Sequence, residues 1–206
     1  MKNPIPATPP VPPAPAPAGP PVKLETKNYI VRTLTPQDAS DNWLRWARDP
    51  EIMNPINTPI MEMKREQLQN YIRTFDRRAR YVFGIFDRKT GEHVGFYQLK
   101  LSQNQRTVTF NVLIGEKSHW GRNAVLETRE ALLDFFFEQR GMEKAIGMPL
   151  VRNFPMIYNY KAQGWRLEGT LRGHCRAAGG DKRLDQYQFG LLRSDWRTRA
   201  KKGSPT

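Results

Sequence analysis

A strand, a polar loop and a long helix follow one another in the middle of the chain, and this segment constrains the fold more than any other. Residues 107–114 (TVTFNVLI) have the pattern of a strand, and residues 124–137 (AVLETREALLDFFF) that of a helix. The loop between them, 115–123 (GEKSHWGRN), is rich in Gly, Asn and Arg at the helix mouth. The first turn of a helix presents unpaired N–H groups and a positive dipole end, which suit a phosphate or pyrophosphate. The segment therefore predicts an anion-binding loop.

The size of the chain and its few cysteines and histidines limit the classes of protein it can belong to. Its 206 residues predict one folded domain with tails. No apolar run approaches a membrane span and the N-terminus has no apolar signal core, which predicts a cytoplasmic protein with no membrane partner. Cys175 alone cannot form an internal disulfide or a cysteine-rich metal site, and the three scattered histidines predict no metal centre.

The chain is strongly basic, with a net charge of +13 and a pI near 10.1. Such an excess favours acidic partners such as nucleic acid, a ribosome or a polyanionic cofactor. A solvated basic surface that aids solubility is the alternative, and composition leaves both open.

The two ends of the chain have the composition of tails. Residues 1–22 contain ten of the seventeen prolines, which predicts an extended, disordered leader; a docking motif for a proline-recognising partner is the alternative. Residues 197–206 have the composition of a basic disordered tail. The folded domain is thus predicted to span residues 23–196.

Between the tails, the elements are predicted in the order β-α-α-β-β-β-α-β-α-β-β, an α/β fold. We expect a mixed central sheet of about seven strands with four helices packed on both faces. The block from Thr107 onward predicts a right-handed crossover that makes part of the sheet parallel, with ligand bound beyond the strand ends. The predicted strands are 28–34, 81–86, 93–101, 107–114, 144–148, 165–172 and 184–192. The first predicted helix begins at Thr35–Pro36 and ends at Asp49–Pro50, and the others span about 64–77, 124–139 and 154–163.

Several short motifs occur together in this order. Trp120-Gly121-Arg122 opens the loop, Glu127 lies on the following helix, and Asn153, Tyr160 and Gly164-Trp165 come later. In this combination the chain resembles the GNAT acetyltransferases, in the branch related to ribosomal-protein-alanine N-acetyltransferases. The resemblance runs from about Tyr29 to Trp196.

The resemblance implies a GNAT-like fold and a reaction. Acetyl-CoA would be the cosubstrate, and a primary amine, on a protein N-terminus or a small molecule, would attack its thioester directly in a ternary complex. The resemblance assigns a set of residues to the cofactor: Leu113, Ile114, Gly115, Trp120, Gly121, Arg122, Asn123, Ala124, Asn153 and Tyr160.

The resemblance also assigns candidate catalytic roles. Tyr160 would donate a proton to the departing thiolate, the alternative being a helix tyrosine packed on the sheet. Asn153 would orient the cofactor or brace the strands, or cap the following helix. Apart from the resemblance, Glu116 and His119 lie close to the predicted cleft and are candidate general bases. The alternatives are that both are surface residues and that a water relay from backbone carbonyls takes the proton. Glu127 is a candidate for a buried ion pair.

The loop departs from the family pattern. The positions that usually hold Gln or Arg, then Gly, then Gly or Ala are here Trp120, Asn123 and Val125. Asn tolerates positive φ. The side chain of Val125 is expected to crowd the phosphates, and this motivates a competing hypothesis: a non-catalytic GNAT-shaped module that binds nucleic acid or a ribosome.

The acceptor is expected to enter between the first two helices and the last hairpin. The sequence does not choose among protein N-termini, antibiotics, amino sugars and polyamines, although the positive charge favours an acidic or ribosome-associated acceptor. The candidate wall residues are Trp43, Trp46, Met53, Met61, Met63 and Tyr71.

Overall fold

The structure, a computed structural model, describes residues 18–203 with side chains up to Arg199, and centres on one eight-stranded sheet. The spatial order of the strands is β1-β2-β3-β4-β5-β6-β8-β7. The strands are β1 Lys23–Glu25, β2 Tyr29–Thr33, β3 Arg80–Asp87, β4 His93–Ser102, β5 Thr107–Ile114, β6 Lys144–Gly147, β7 Arg166–Arg176 and β8 Arg183–Leu192.

Helices connect and cover the strands. None of those in the described residues has the length and apolar character needed to cross a membrane. The α-helices are α1 Asp41–Trp46, α2 Pro50–Met53, α3 Arg65–Arg73, α4 Ala124–Asp134, α5 Phe154–Ala162 and α6 Arg193–Gly203. Short 3-10 turns span Pro36–Asp38, Asn54–Ile56 and Lys117–His119, and a π turn spans Phe135–Gln139.

The sheet is mixed, as predicted. Strands β5 and β6 are parallel and joined through α4, and every other neighbouring pair is antiparallel. The predicted α/β fold and its parallel crossover are therefore confirmed. The described sheet has eight strands rather than about seven because the short strand β1 was not predicted.

Two apolar clusters cover the two faces of the sheet. Helices α4 and α5 pack with Phe83, Tyr97 and Phe110 on one face. Helices α1 to α3 pack with Val82 and Phe96 on the other. Since successive side chains of a strand point to opposite faces, neighbours such as Val82 and Phe83 belong to different clusters.

The first predicted helix is broken into two pieces. The side chain of Asp38 accepts hydrogen bonds from the backbone N–H and the hydroxyl of Thr35, closing a single 3-10 turn. Ala39 is extended, and Ser40 then caps α1 by accepting from the N–H of Trp43 at 3.2 Å. The helix predicted to begin at Thr35–Pro36 is therefore wrong in its start, because two successive caps compete there.

The long predicted helix 124–139 changes its winding near its end. Its last turn, Phe135–Gln139, is a π turn, and Phe135, Phe136 and Phe137 are all buried. Three consecutive large side chains span about 200° of an α-helix, more than one buried stripe accommodates. The wider turn directs all three toward the core.

The tail boundaries also differ from the prediction. Residues 18–22 already contact the domain, since the N–H of Gly19 donates to the Asp76 carbonyl at 2.8 Å and Val22 packs against the core. At the other end α6 continues to Gly203, and Arg197 pairs with Glu138 at 2.6 Å. The rest of the two predicted tails, 1–17 and 204–206, lies outside the described residues.

Glu127 ties the start of α4 to the turn between β1 and β2. Its carboxylate accepts from the hydroxyl of Thr26, from the backbone N–H of Asn28 at 2.6 Å and from the Asn28 amide at 2.8 Å. Partial burial raises the pKa of the Glu127 carboxyl, but these donors outweigh it and hold the pKa below its ordinary value. The ion pair expected for Glu127 is therefore replaced by hydrogen bonds to neutral donors.

Replacing Glu127 by Gln should lower the free energy of unfolding by about 1 kcal/mol at pH 7, since a charged acceptor of three hydrogen bonds is lost. Because the folded-state pKa is lowered, the contribution of the carboxylate is present above its ordinary value of 4.5 and is lost as the pH falls below it. Urea titrations at a series of pH values should show that the gap in stability, the difference in free energy of unfolding between wild type and Glu127→Gln, becomes smaller as the pH falls. Glu130→Gln, exposed on the same helix, is the control, and a gap that does not depend on pH would contradict the prediction.

Candidate active site

Strand β5 separates from its parallel neighbour β6 halfway along its length. The two are paired from Thr107 and Lys144 to Phe110 and Gly147, and the pairing ends there. Strand β5 continues for four more residues to Ile114. A V-shaped gap therefore opens in the middle of the sheet.

The chain after β6 bends toward β8 and keeps the gap open. Pro149 has no N–H to continue the ladder. Its carbonyl accepts from the N–H of Tyr187 at 3.0 Å, and the carbonyl of Met148 accepts from the amide of Gln186 at 2.9 Å. These bonds hold the segment on β8 and away from β5.

Backbone groups of β5 face the gap. The N–H of Gly115 donates to the carbonyl of Val94 on β4 at 2.9 Å. Since N–H directions alternate along a strand, those of Val112 and Ile114 face the opposite side, where β6 has departed. The carbonyl of Ile114 accepts from the indole N–H of Trp120 at 2.9 Å, which fixes the loop against this edge.

The mouth of α4 lies just beyond this edge. Gly121 and Asn123 have positive φ values of 74° and 58°. Asn123, at the position where the family pattern usually has Gly, thus adopts the left-handed conformation. Within the described residues, the N–H groups of Ala124, Val125 and Leu126 have no hydrogen-bond partner. The helix mouth thus presents three free donors and the positive end of an 11-residue helix.

Val125 does not crowd this mouth. Its side chain is buried, with 8% of its surface exposed, and belongs to the apolar cluster under the sheet. Its carbonyl accepts from the Tyr97 hydroxyl at 3.1 Å. The expected crowding of phosphates is therefore wrong, because the valine side chain points into the core.

Tyr160 lies at the point where the strands separate. Its ring stacks on Phe189 with centroids 5.1 Å apart, and a Cβ placed on Gly147 would overlap its ring and hydroxyl. The side chain is buried and lines a cavity that opens from the gap. Burial raises the pKa of the Tyr160 phenol, although Arg129 opposes the rise, so the phenol keeps its proton at neutral pH.

Arg129 of α4 is fully buried beside Tyr160. Its guanidinium carbon is 4.5 Å from the Tyr160 ring centroid and 5.5 Å from that of Trp165. Its Nε and Nη2 atoms have no hydrogen-bond partner in the described residues, while Nη1 lies 3.9 Å from the Met156 sulfur. The aromatic rings are its main compensation for the loss of water.

Asn153 has two structural contacts at the cavity. Its Oδ1 accepts from the N–H of Met156 at 3.2 Å and caps α5, and its Nδ2 donates to the carbonyl of Pro55 at 3.2 Å. The second bond joins α5 to the loop after α2. The N-cap alternative is therefore confirmed, and the side chain also lines the cavity.

The cavity has a volume of about 590 Å³ and lies between the sheet and helices α1 to α3. Phe96 stacks on Trp43 with centroids 3.9 Å apart and forms part of its floor. Ile56 and Thr58 also line the cavity, and Asn57 between them donates to the carbonyl of Arg176 at 2.8 Å. This bond joins that part of the wall to the β7–β8 hairpin. All six predicted wall residues line it: Trp43, Trp46, Met53, Met61, Met63 and Tyr71.

Neither predicted base reaches this cavity. The Glu116 carboxylate accepts from the Trp46 indole at 2.9 Å and pairs with Arg45. His119 is buried, with Nδ1 3.1 Å from the Tyr29 hydroxyl. The structure thus gives both residues a role in holding the loop, and the expectation that either acts as base is not supported by their contacts.

Sequence reasoning missed four residues that shape the site. Gly147 makes room for Tyr160, and its only signal was a glycine at the end of a short apolar strand. Arg129 could have been found as a charge on the apolar stripe of α4. Gln98 and Asn111 face each other on β4 and β5 in the cavity floor, and only the strand register reveals them.

The geometry can be compared with known proteins. Residues 28–165 match the family model described as the acetyltransferase (GNAT) domain. The chain belongs to the GNAT acetyltransferase family. The family prediction is therefore confirmed over more than half of the sequence.

Relatives of this GNAT chain cover most of its length. It is 23% identical over 181 residues to the uncharacterized N-acetyltransferase p20 of Bacillus licheniformis, covering 84% of this chain and 97% of p20. The ribosomal-protein-S5-alanine acetyltransferase of Vibrio fischeri has the same fold, with a TM-score of 0.74 and 15% identity over 85% of this chain and 98% of that one. The structure of the spermidine N-acetyltransferase of Vibrio cholerae, solved with CoA and spermine, has a TM-score of 0.72 and 17% sequence identity. The match covers 82% of this chain and 98% of that one.

Replacing Gly147 by Ala should lower the free energy of unfolding by about 1–3 kcal/mol, because the added methyl group forces the packed Tyr160 ring to move. Urea titration followed by tryptophan fluorescence measures the change. Gly169→Ala is the matched control, since a Cβ there meets no atom within 4 Å. A Gly147→Ala protein as stable as wild type would contradict the position of Tyr160.

Proposed function

We propose that this protein transfers an acetyl group from acetyl-CoA to a primary amine by direct attack in a ternary complex. The amine nitrogen forms a bond to the acetyl carbon, and the carbon–sulfur bond breaks. The amine loses a proton and the departing thiolate gains one. Acetyl-CoA, when bound, supplies the activated thioester.

The observation that carries the proposal is the convergence of three features at one gap in the sheet. The free N–H groups at the mouth of α4 have the chemistry that suits a pyrophosphate. The N–H groups of Val112 and Ile114 line an open strand edge suited to an amide-containing arm and a thioester carbonyl. Tyr160 lies where the edge meets the cavity. A net charge of +13 also attracts a polyanionic cosubstrate.

Tyr160 would supply the proton for the thiolate. Its phenol is neutral at physiological pH, since its ordinary pKa of 10.0 is already well above that pH and burial raises it further, so it can donate as charge develops on sulfur. The stacking on Phe189 and the contact with Gly147 fix the ring in place. The proton donor is thus held before the substrate binds.

The acceptor amine would be deprotonated mainly because the cavity lowers its pKa, and not because a side chain takes its proton. Among the described residues that line the cavity, there is no Asp, Glu or His to act as a base. Burial in an uncharged cavity lowers the pKa of an amine and favours the reactive neutral form. After the attack, the nitrogen must still lose one proton. This proton would leave through water bound at backbone carbonyls of the open strand edge, such as that of Val112.

Acetyl-CoA should bind with a Kd in the micromolar range, about −8 kcal/mol, in isothermal titration calorimetry. Arg122→Glu, exposed at the helix mouth, should weaken binding about tenfold because a cation beside the phosphates becomes an anion. Lys182→Glu makes the same charge change at the tip of the β7–β8 hairpin and should leave the Kd unchanged.

The same titration can overturn the proposal. Absence of acetyl-CoA binding, together with RNA binding that weakens steeply with salt, would favour the non-catalytic basic module instead. Equal weakening by both charge reversals would show that binding does not depend on the helix mouth.

Tyr160→Phe should lower kcat about 100-fold and leave the Kd for acetyl-CoA unchanged, because only the proton donor is removed. Release of free CoA thiol measures the rate. Tyr158→Phe is the matched control, since Tyr158 is exposed on the same helix. If both variants keep the wild-type kcat, Tyr160 is not the acid.

A further inference from the structure

Thioether and aromatic side chains make up much of the cavity lining. Five of the seven methionines of the chain line the cavity: Met53, Met61, Met63, Met148 and Met156. Aromatic side chains of the wall include Trp43, Trp46 and Tyr71, with Trp43 edge-on to Tyr71 at 6.3 Å between ring centroids, and Phe96 adds a ring in the floor. These side chains favour an apolar group by burial of its surface.

No charged residue lines the cavity in the described part of the chain. A second ammonium or a carboxylate on the acceptor would therefore lose its hydration with no ion-pair partner, which is strongly unfavourable. The net charge of +13 further disfavours the approach of a polycation. The cavity thus selects against polyamines, aminoglycosides and acidic acceptors alike.

Two neutral polar groups lie in the cavity floor. Gln98 of β4 and Asn111 of β5 are directly opposite each other in the sheet, one residue past the last pairing of β5 with β6. Neither side chain has a hydrogen-bond partner within the described residues. Carboxamides both donate and accept, so they match an amide group next to the reacting amine.

We propose that the acceptor is a monoamine that carries a large apolar side group and a neutral amide beside the amine, as in a peptide N-terminus beginning with a large apolar residue. This inference rests on the proposed function and names its substrate class. The apolar group lies among the methionines and aromatic rings, and the amide lies on Gln98 and Asn111. Because methionine side chains adapt their shape, aromatic and branched aliphatic groups should both be accepted.

The wild-type protein can be tested with acetyl-CoA and a panel of amines. Phenylalaninamide and leucinamide should each give a kcat/KM at least about tenfold above alaninamide, since a hydrophobic pocket discriminates by the apolar surface it buries. Spermidine and glutamic acid α-amide should be poorer than alaninamide. A C-terminally amidated tripeptide beginning with phenylalanine, which carries no carboxylate, should have a kcat/KM at least equal to that of phenylalaninamide. A much lower value would overturn the assignment of the acceptor as a peptide N-terminus.

Gln98→Glu tests the role of the uncharged floor. The substitution keeps the shape of the side chain and adds a carboxylate to the cavity. It should lower kcat/KM for phenylalaninamide about tenfold and raise that for spermidine by a similar factor. Gln103→Glu makes the same change in the exposed turn between β4 and β5 and should leave both values unchanged.

The results for the acceptor and for acetyl-CoA separate the two proposals. Acetyl-CoA binding with alaninamide or spermidine as the best acceptor, or with no amine acetylated, would overturn the acceptor class and leave the cosubstrate assignment intact. Loss of acetyl-CoA binding altogether would overturn the proposed function, and the acceptor class with it. An unchanged preference in Gln98→Glu would show that the acceptor does not contact the floor.

Discussion

The separation of β5 from β6 after the Phe110–Gly147 pair is the constraint on which the site depends. Continued pairing would fill the gap with a second strand and use the N–H groups that now face it. Pro149 lacks a donor, and the bonds of Met148 and Pro149 to β8 keep the strands apart. The gap exposes the edge of β5, gives Tyr160 its place above Gly147, and leads into the cavity. Backbone geometry thus creates the site, and side chains then give it chemistry.

Much of the frame could be predicted because local signals and the global fold agree. The meander of β3 to β5, the loop before α4 and the cap at Asn153 follow from alternation, turn residues and capping chemistry. The six cavity residues on or near the first helices were also found, since the acceptor was expected to enter between those helices and the last hairpin.

The rest depended on contacts that no local pattern reveals. Val125 and Glu116 have side-chain directions set by tertiary packing: one points into the core, and the other is held by Trp46 and Arg45. The π turn at Phe135–Gln139 and the continuation of α6 arise from burial and from ion pairs with Glu138, which is distant in sequence. Residue type suggested a chemistry for Glu116 and His119, but only their partners show that they are engaged elsewhere.

Because five methionines line the cavity, an oxidant would react there more readily than in the buried core. Oxidation of a thioether to the sulfoxide turns a flexible apolar side chain into a polar one. Met61, with 39% of its surface exposed, lies where an oxidant meets the cavity first, whereas Met142 is buried in the core. Oxidative damage would therefore change what the cavity recognises before it weakens the fold, and a reductase acting on sulfoxides could restore it.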